Sequence, residues 1–472
     1  MTQPGVQPTG AAAHDEVRAG GAAGGIARGL AANGAGNAIT ALIQLVSVPL
    51  LLAHWGVATY GEWLVLSAIP TYLGLSDLGF ASAAGNSMTM LAANGRRSEA
   101  VAVGRQVWSF TSVTSGVVVV VAIVIGWAVA AGFGSEAAMS APEARTVIAA
   151  LFLQVAVSIQ YGMLDAWYRA GGRYPLGVAM RQLGRLTEFG VMMVVVLRGG
   201  GPNEAAVAFL VASAAGFGLS SWVLLRTVPW SSFRPEWPAS KTVRQMLGPG
   251  LAFMTFPLGN AISVQGFMIV IGATLGSTEL VVWSTTRTLT RMALQLMSSI
   301  NLSIWPELSR AIGSGNHELA RAILRRAVQL SIVASLSLSA LLALVGPAFI
   351  NWWTNGLVVP PFGLLGILLL VMVANSVWFT IAIALVATNR HSRMAIVYLT
   401  GTTVALVMAV PLTAGHGLVG AALALFVVDA GMAVYVIPAS LAVVHDSPAP
   451  FLRALLDVRG AKDEIASRFR HR

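Results

Sequence analysis

Apolar stretches of roughly twenty residues, separated by short polar or glycine-bearing gaps, recur along this chain from Gly25 to Val444. A helix rises 1.5 Å per residue, so stretches of this length cross the ~30 Å hydrocarbon core of a bilayer. Soluble helices of the same length carry a polar face. These mostly do not, and the pattern predicts an all-α, polytopic membrane protein. Twelve spans are expected, at about 28–53, 60–92, 102–131, 146–168, 175–197, 204–226, 246–272, 279–309, 325–350, 361–388, 394–414 and 417–443. Composition agrees: 56% of residues are apolar and only 10% are charged.

The few charges then orient the chain. Of the 29 lysines and arginines, 23 fall in the two terminal segments and in alternate connections, such as Arg96, Arg97 and Arg105, or Arg310, Arg321, Arg325 and Arg326. The opposite connections hold only Arg145 and Arg198, and four arginines lie inside spans. Positive residues stay on the cytoplasmic side, so both termini are expected there. The net charge of +10 thus reflects topology, not a nucleic-acid surface, because the basic residues are dispersed among loops.

Residues 1–25, rich in Gly, Ala and Pro, read as a disordered cytoplasmic leader. The tail 446–472 places Phe451, Leu452, Leu455 and Leu456 among arginines, and reads equally as an interfacial helix or a solvated basic segment. Zero cysteines exclude disulfides and thiolate metal sites.

Gaps this short exclude further function classes. The longest, about Thr227 to Gln245, cannot hold a catalytic domain. There is no GxxxxGK[ST] phosphate loop, only Lys241 and Lys462 as lysines, and no paired histidine spacing for a metal. The chain is expected to be neither an enzyme nor an ATPase, and to need no cofactor.

A proline-rich, basic stretch at 229–245 divides the chain into bundles of six helices, 26–228 and 246–445. Shifting the sequence by 220 residues superposes Gly56 on Gly276, Trp63 on Trp283, Gly95 on Gly315 and Ala100 on Ala320. Two halves of equal orientation imply a parallel repeat about an axis along the membrane normal.

The first two spans carry Trp55-Gly56, Tyr60-Gly61-Glu62-Trp63 and Tyr72-Leu73-Gly74-Leu75-Ser76-Asp77-Leu78-Gly79-Phe80, then Asn94-Gly95 and Glu99-Ala100. This resembles the O-antigen and exopolysaccharide flippases of the multidrug/oligosaccharidyl-lipid/polysaccharide (MOP) superfamily. The resemblance implies that an undecaprenyl-diphosphate-linked oligosaccharide is moved from the inner to the outer leaflet by alternating access. Its implied partners are that lipid-linked oligosaccharide, membrane lipids and, as candidates, other polysaccharide-assembly membrane proteins. A cation-coupled multidrug exporter of the same superfamily is the alternative, and a membrane glycan polymerase or glycosyltransferase a more distant one.

Charges inside spans cost about 3 kcal/mol each by insertion scales, so they face a cavity or one another. Arg181, Arg185 and Glu188 share one face of span five, and Arg287 and Arg291 one face of span eight. Arg287 should lie ~12 Å and Arg291 ~18 Å below the outer end of their helix, with arginines of both halves around one central cleft. Arginine's fixed charge and forked donors suit a diphosphate. Snorkelling to lipid phosphates or pairing with Glu188 is the competing reading, strongest for Arg181. Asp77, Glu188 and Asp429 are the acids expected to couple transport to H+ or Na+, or else to serve only as counter-ions.

Asn37, Gln44, Asn260, Gln265, Gln295 and Asn301 suggest wet faces on spans one, seven and eight. Prolines such as Pro49, Pro70 and Pro257 allow kinks there. Trp55, Trp63, Trp230, Trp237, Trp352 and Trp353 are expected as anchors at the membrane interfaces.

Overall fold

In the computed structural model the described residues are 10–73, 79–130, 137–237, 254–388 and 390–456, and their regular structure is helical throughout. Helix α1 (Gly10–Leu73) is broken at Gly56. It is followed by α2 (Phe80–Ala93), α3 (Arg97–Ala130), α4 (Ala141–Ala170), α5 (Tyr174–Leu197) and α6 (Pro202–Thr227). The second half begins with α7 (Met254–Leu275), α8 (Ser277–Gly313) and α9 (His317–Trp353). It continues with α10 (Phe362–Ile381), the short α11 (Ile383–Ala387), α12 (Ser392–Val443), which is broken at Gly417, and α13 (Pro448–Leu456).

Seven of the described helices are long and apolar enough to cross a membrane by length and composition. Dividing α1 at Gly56 and α12 at Gly417, and taking α2 as the continuation of the segment ending at Leu73, gives six traverses in each half. The protein is a multi-pass membrane protein. Its lipid-facing side is the row of large apolar residues left bare, such as Val117, Val120 and Val124 on α3 or Leu341 and Leu344 on α9. In a bilayer such residues need no protein partner.

Helix α1 begins at Gly10 and so takes in residues 10–25 of the expected leader, while residues 1–9 lie outside the described residues. Alanine clusters at 11–13 and 22–23 favour helix, and a helix already nucleated by the first span extends cheaply. In the tail, α13 rests on α9. Phe451 is buried, Gln329 donates to the Ala454 carbonyl, and Leu452 stays exposed. Residues 238–245 of the linker, 246–253 at the start of the second bundle and the tail beyond 456 lie outside the described residues, as does Asp77.

The backbone carries the repeat. Gly56 (φ 75°, ψ 174°) and Gly276 (φ 91°, ψ 177°) take the same left-handed, extended conformation between the first and second traverses of each half. A Cβ disfavours it, so glycine recurs there. Gly95 (φ 76°) and Gly315 (φ 71°) match in the next turn. Ala100 and Ala320 are both fully buried, and so is Trp283, with Trp63 nearly so.

The halves meet close to the Gly56 and Gly276 turns. Gly61 lies flush against the Ser277 backbone, where any Cβ would collide, and Gly272 against the Val65 side chain. One apolar cluster crosses the boundary, joining Val48, Leu51 and Leu52 of α1 to Val281 and Leu289 of α8 and Ile350 of α9. Trp353 Nε1 adds a 2.7 Å bond to the Leu45 carbonyl. At this end of the molecule the two halves are closed on each other.

Candidate functional site: two cavities, one in each half

Sequence reasoning placed the arginines of both halves around one cleft. The structure gives them two cavities with no lining residue in common.

The C-terminal-half cavity, about 280 Å³, is walled by α7, α8, α10 and α12. Arg287 projects into it from α8 and is 8% exposed. It is held by α7, where the turn Ile262–Gly266 is π-helical. A π turn loosens the regular bonding pattern and marks functional positions in many helices. Here the Ser263 carbonyl accepts from Arg287 Nη1 at 2.6 Å, and Ser263 Oγ accepts from Nη2 at 3.0 Å. The guanidinium also lies 5.5 Å from the centre of the Trp283 ring and 5.9 Å from that of Phe267, a cation–π cradle.

Arg291, one turn further along α8, lines the same cavity. Among the described residues it has no ion pair and no hydrogen bond.

Asp429 enters from α12, 4% exposed. Its Oδ1 accepts from Asn375 Nδ2 and from Trp378 Nε1, each at 2.7 Å. The acid is thus tied down by neutral donors on α10, while Arg287 is tied to Ser263. Neither arginine forms a salt bridge with Asp429 among the described residues. The cavity holds two cations against one anion, and leaves one of those cations unpartnered.

Amides foreseen as wet do line this cavity: Asn260, Gln295 and Asn301. Thr380 Oγ1 donates to Asn301 Oδ1 at 2.9 Å, fixing its orientation. Ser263, Asn375, Trp378 and Tyr398 were not anticipated. Asn375 sits amid the apolar run of α10 with Asp429 as its partner, and a lone amide in such a run was the available signal.

The N-terminal-half cavity is larger, about 440 Å³, and lies between α1, α4, α5 and α6. Arg185 and Glu188 of α5 reach it, together with Gln154 and the aromatic rings of Tyr60, Trp63, Phe189 and Phe209. Glu188 is 9% exposed, and Arg185 has no hydrogen bond or ion pair among the described residues.

Arg181 does not line it. Its Nη2 pairs with Asp165 Oδ2 of α4 at 2.5 Å, and its guanidinium covers the Tyr161 ring at 5.3 Å. Asp165 was overlooked in the sequence because it lies near the end of its span beside Trp167 and Arg169, where a charge looks interfacial.

Two of the tryptophans expected as interfacial anchors are buried instead. Trp63 walls the N-half cavity and packs, tilted, against Trp55 with ring centres 5.3 Å apart, and Trp353 joins the seam between the halves. Trp237 and Trp352 are exposed, as anchors should be. Near the Gly56 end, Glu62 accepts from the Ala138 and Met139 amides, both at 2.8 Å, and so holds the loop before α4 rather than any cavity.

Comparison with known proteins follows this geometry. Among solved structures the chain is similar to an inward-facing multidrug resistance MATE family transporter of the MOP superfamily (TM-score 0.67, 15% identity, 89% of this chain and 99% of that one). It is also similar to the lipid II flippase MurJ in an inward closed conformation (TM-score 0.66, 11% identity, 89% of each chain). A third is a MOP superfamily transporter from Pyrococcus furiosus whose binding pocket is described as reversed in polarity (TM-score 0.60, 14% identity, 89% and 95%). At these identities the likeness establishes the fold, and none of the three is an enzyme. No curated protein sequence matches the chain. Residues 75–354, more than half of the chain, match the family described as polysaccharide biosynthesis protein. The chain, built on the MOP superfamily fold, therefore belongs to the polysaccharide biosynthesis protein family.

Proposed function

We propose that this protein is a flippase that carries an undecaprenyl-diphosphate-linked oligosaccharide from the inner to the outer leaflet of the cell inner membrane. The observation that carries this reading is the unpartnered, half-buried Arg291 beside Arg287 in one cavity. A lone guanidinium away from bulk water is costly, and a diphosphate would meet its forked donors with charge-assisted bonds. A cationic drug would find two like charges there. The family match supports a glycan as the cargo's other part.

Alternating access follows from the two-bundle layout. The halves are closed at the Gly56 and Gly276 end. The charge bias makes that end the outer one, which puts both termini in the cytoplasm and makes this an inward-facing state. Flipping would break the Gly61–Ser277 seam and close the opposite end, with the polyprenyl tail remaining in lipid.

Nothing in the described chain resembles a nucleotide site, so coupling falls to an ion. Asp429 in the C-half cavity and Glu188 in the N-half cavity are the acids placed to exchange H+ or Na+ as the cavities open and close.

A deletion strain tests the function. We expect the undecaprenyl-linked unit to build up on the inner leaflet and the wild-type gene to clear it. Normal export without the protein, or loss of drug resistance alone, would overturn the reading.

A further inference from the structure

Resting on the flippase reading, we propose that cargo recognition is split between the halves: the N-half cavity is a glycan subsite that reads the sugars, separate from the arginine pair that holds the diphosphate.

A sugar ring has two chemical surfaces, a face of C–H groups and a rim of hydroxyls. The N-half cavity offers both complements. Tyr60, Trp63 and Phe189 present aromatic surface, which suits rigid contact with apolar faces. Gln154 supplies a donor and an acceptor together, as a hydroxyl requires. Arg185 and Glu188, one turn apart on α5, add donors on one side and acceptors on the other.

Their charges cancel. A diphosphate gains nothing overall from such a pair, whereas the hydroxyls, amides or carboxyls of a glycan can bond to either member. Arg185 is half-buried with no bonded partner among the described residues. Its nitrogens are not among the buried unbonded atoms, so the donors remain open to the cavity and free to meet a ligand. The volume, about 440 Å³, lies in the ~300–1,000 Å³ range of clefts that enclose small organic ligands. Helix α1, which walls this cavity, packs against α7 and α8, which wall the other, so the two cavities adjoin as a head group and its attached sugars would require.

The test uses two lipids and the full-length protein in nanodiscs: sugar-free undecaprenyl diphosphate, and the glycosylated lipid purified from the deletion strain in which it builds up. Binding is read by quenching of the intrinsic tryptophans. The Gln154→Ala and Phe189→Leu variants should each weaken the glycosylated lipid about five- to tenfold relative to the sugar-free one. Arg291→Ala should weaken both lipids together. Equal effects of the N-half variants on both lipids, or no effect on either, would overturn the subsite and leave the flippase reading intact. If wild-type protein binds neither lipid, the flippase reading falls and takes the subsite with it.

Discussion

Two cavities on a repeated framework differ in charge, one net cationic and the other balanced. Gly56 and Gly276 turn the chain identically in the two halves, and Trp63 and Trp283 follow at matching positions. Yet Trp283 lies under a guanidinium in the C-half, while Trp63 forms part of the cavity wall in the N-half. The C-half gathers Arg287 and Arg291 against one acid that is already bonded to neutral donors. The N-half balances Arg185 with Glu188 and adds aromatic rings. Backbone geometry is what the repeat conserves between its halves, and side chains filling the cavities have diverged to different chemistry. One half is suited to hold charge, the other to hold shape.

Arg291 is where that contrast breaks most easily. Replacing it with alanine removes the one unpartnered cation of the C-half cavity. Export should fall more than tenfold in cells where membrane insertion is confirmed, with Arg291→Lys intermediate because a point charge lacks the fork. Arg185→Ala should cost less and vary with the glycan supplied. Equal losses across glycans would erase the distinction between the cavities.

The seam comes next. Gly61→Val places a side chain against the Ser277 backbone, a steric cost of about 1–3 kcal/mol in the state closed at that end. The conformational balance should tip away from it, seen as raised labelling of cysteines introduced near Gly56 and as slower export. Unchanged labelling would mean the seam flexes without opening.

Asp429→Asn should separate coupling from binding. The amide keeps an oxygen for Asn375 and Trp378 but no longer carries a charge. We expect export that no longer responds to collapse of the proton or sodium gradient, with lipid binding retained. Asp429→Ala should in addition lose about 1–3 kcal/mol of stability, because two buried donors lose their acceptor. Export by the wild type that ignores both gradients would remove the coupling role.

The smallest effect belongs to α13. Burial works against the Asp446 carboxylate, but the two bonds from Arg325 (2.8 and 2.7 Å) and the Ser447 amide outweigh it and hold Asp446 below the usual carboxylate range. A depressed carboxyl stabilises above its unfolded pKa and loses that contribution as pH falls through its folded value. Docking of α13 should therefore be intact at neutral pH and weaken only in strongly acidic buffer, and Asp446→Asn should mimic this at pH 7. Proteolysis of the tail would show it.

Much of the architecture was readable beforehand. Apolar runs of bilayer length and the periodic placement of arginine fix helices and gaps, because the solvent demands both. The offset of 220 residues was readable through Trp63 and Trp283, since only glycine tolerates the turn before each. Within the sites, helix periodicity put Arg287 and Arg291 on one face, and both line one cavity with Asn260, Gln295 and Asn301, expected from the sequence only on wet faces of spans seven and eight. Periodicity could not say which neighbour each charge meets. Arg181 turned to Asp165, a contact between α4 and α5 that no spacing along one helix encodes. Ser263 became a ligand for Arg287 through a π turn; Pro257, five residues before that turn, signalled an irregular helix but not where the turn would fall. The separation of the cavities depends on how two bundles lie against each other, which hydropathy does not record.

The central claim is that the C-half arginines bind the cargo's diphosphate. The most direct test is equilibrium binding of sugar-free undecaprenyl diphosphate to wild type and to the Arg287→Ala/Arg291→Ala double variant, in nanodiscs of neutral lipid with folding verified. The account predicts saturable wild-type binding that weakens with added inorganic pyrophosphate and is lost in the double variant. Undiminished binding by the double variant would contradict it.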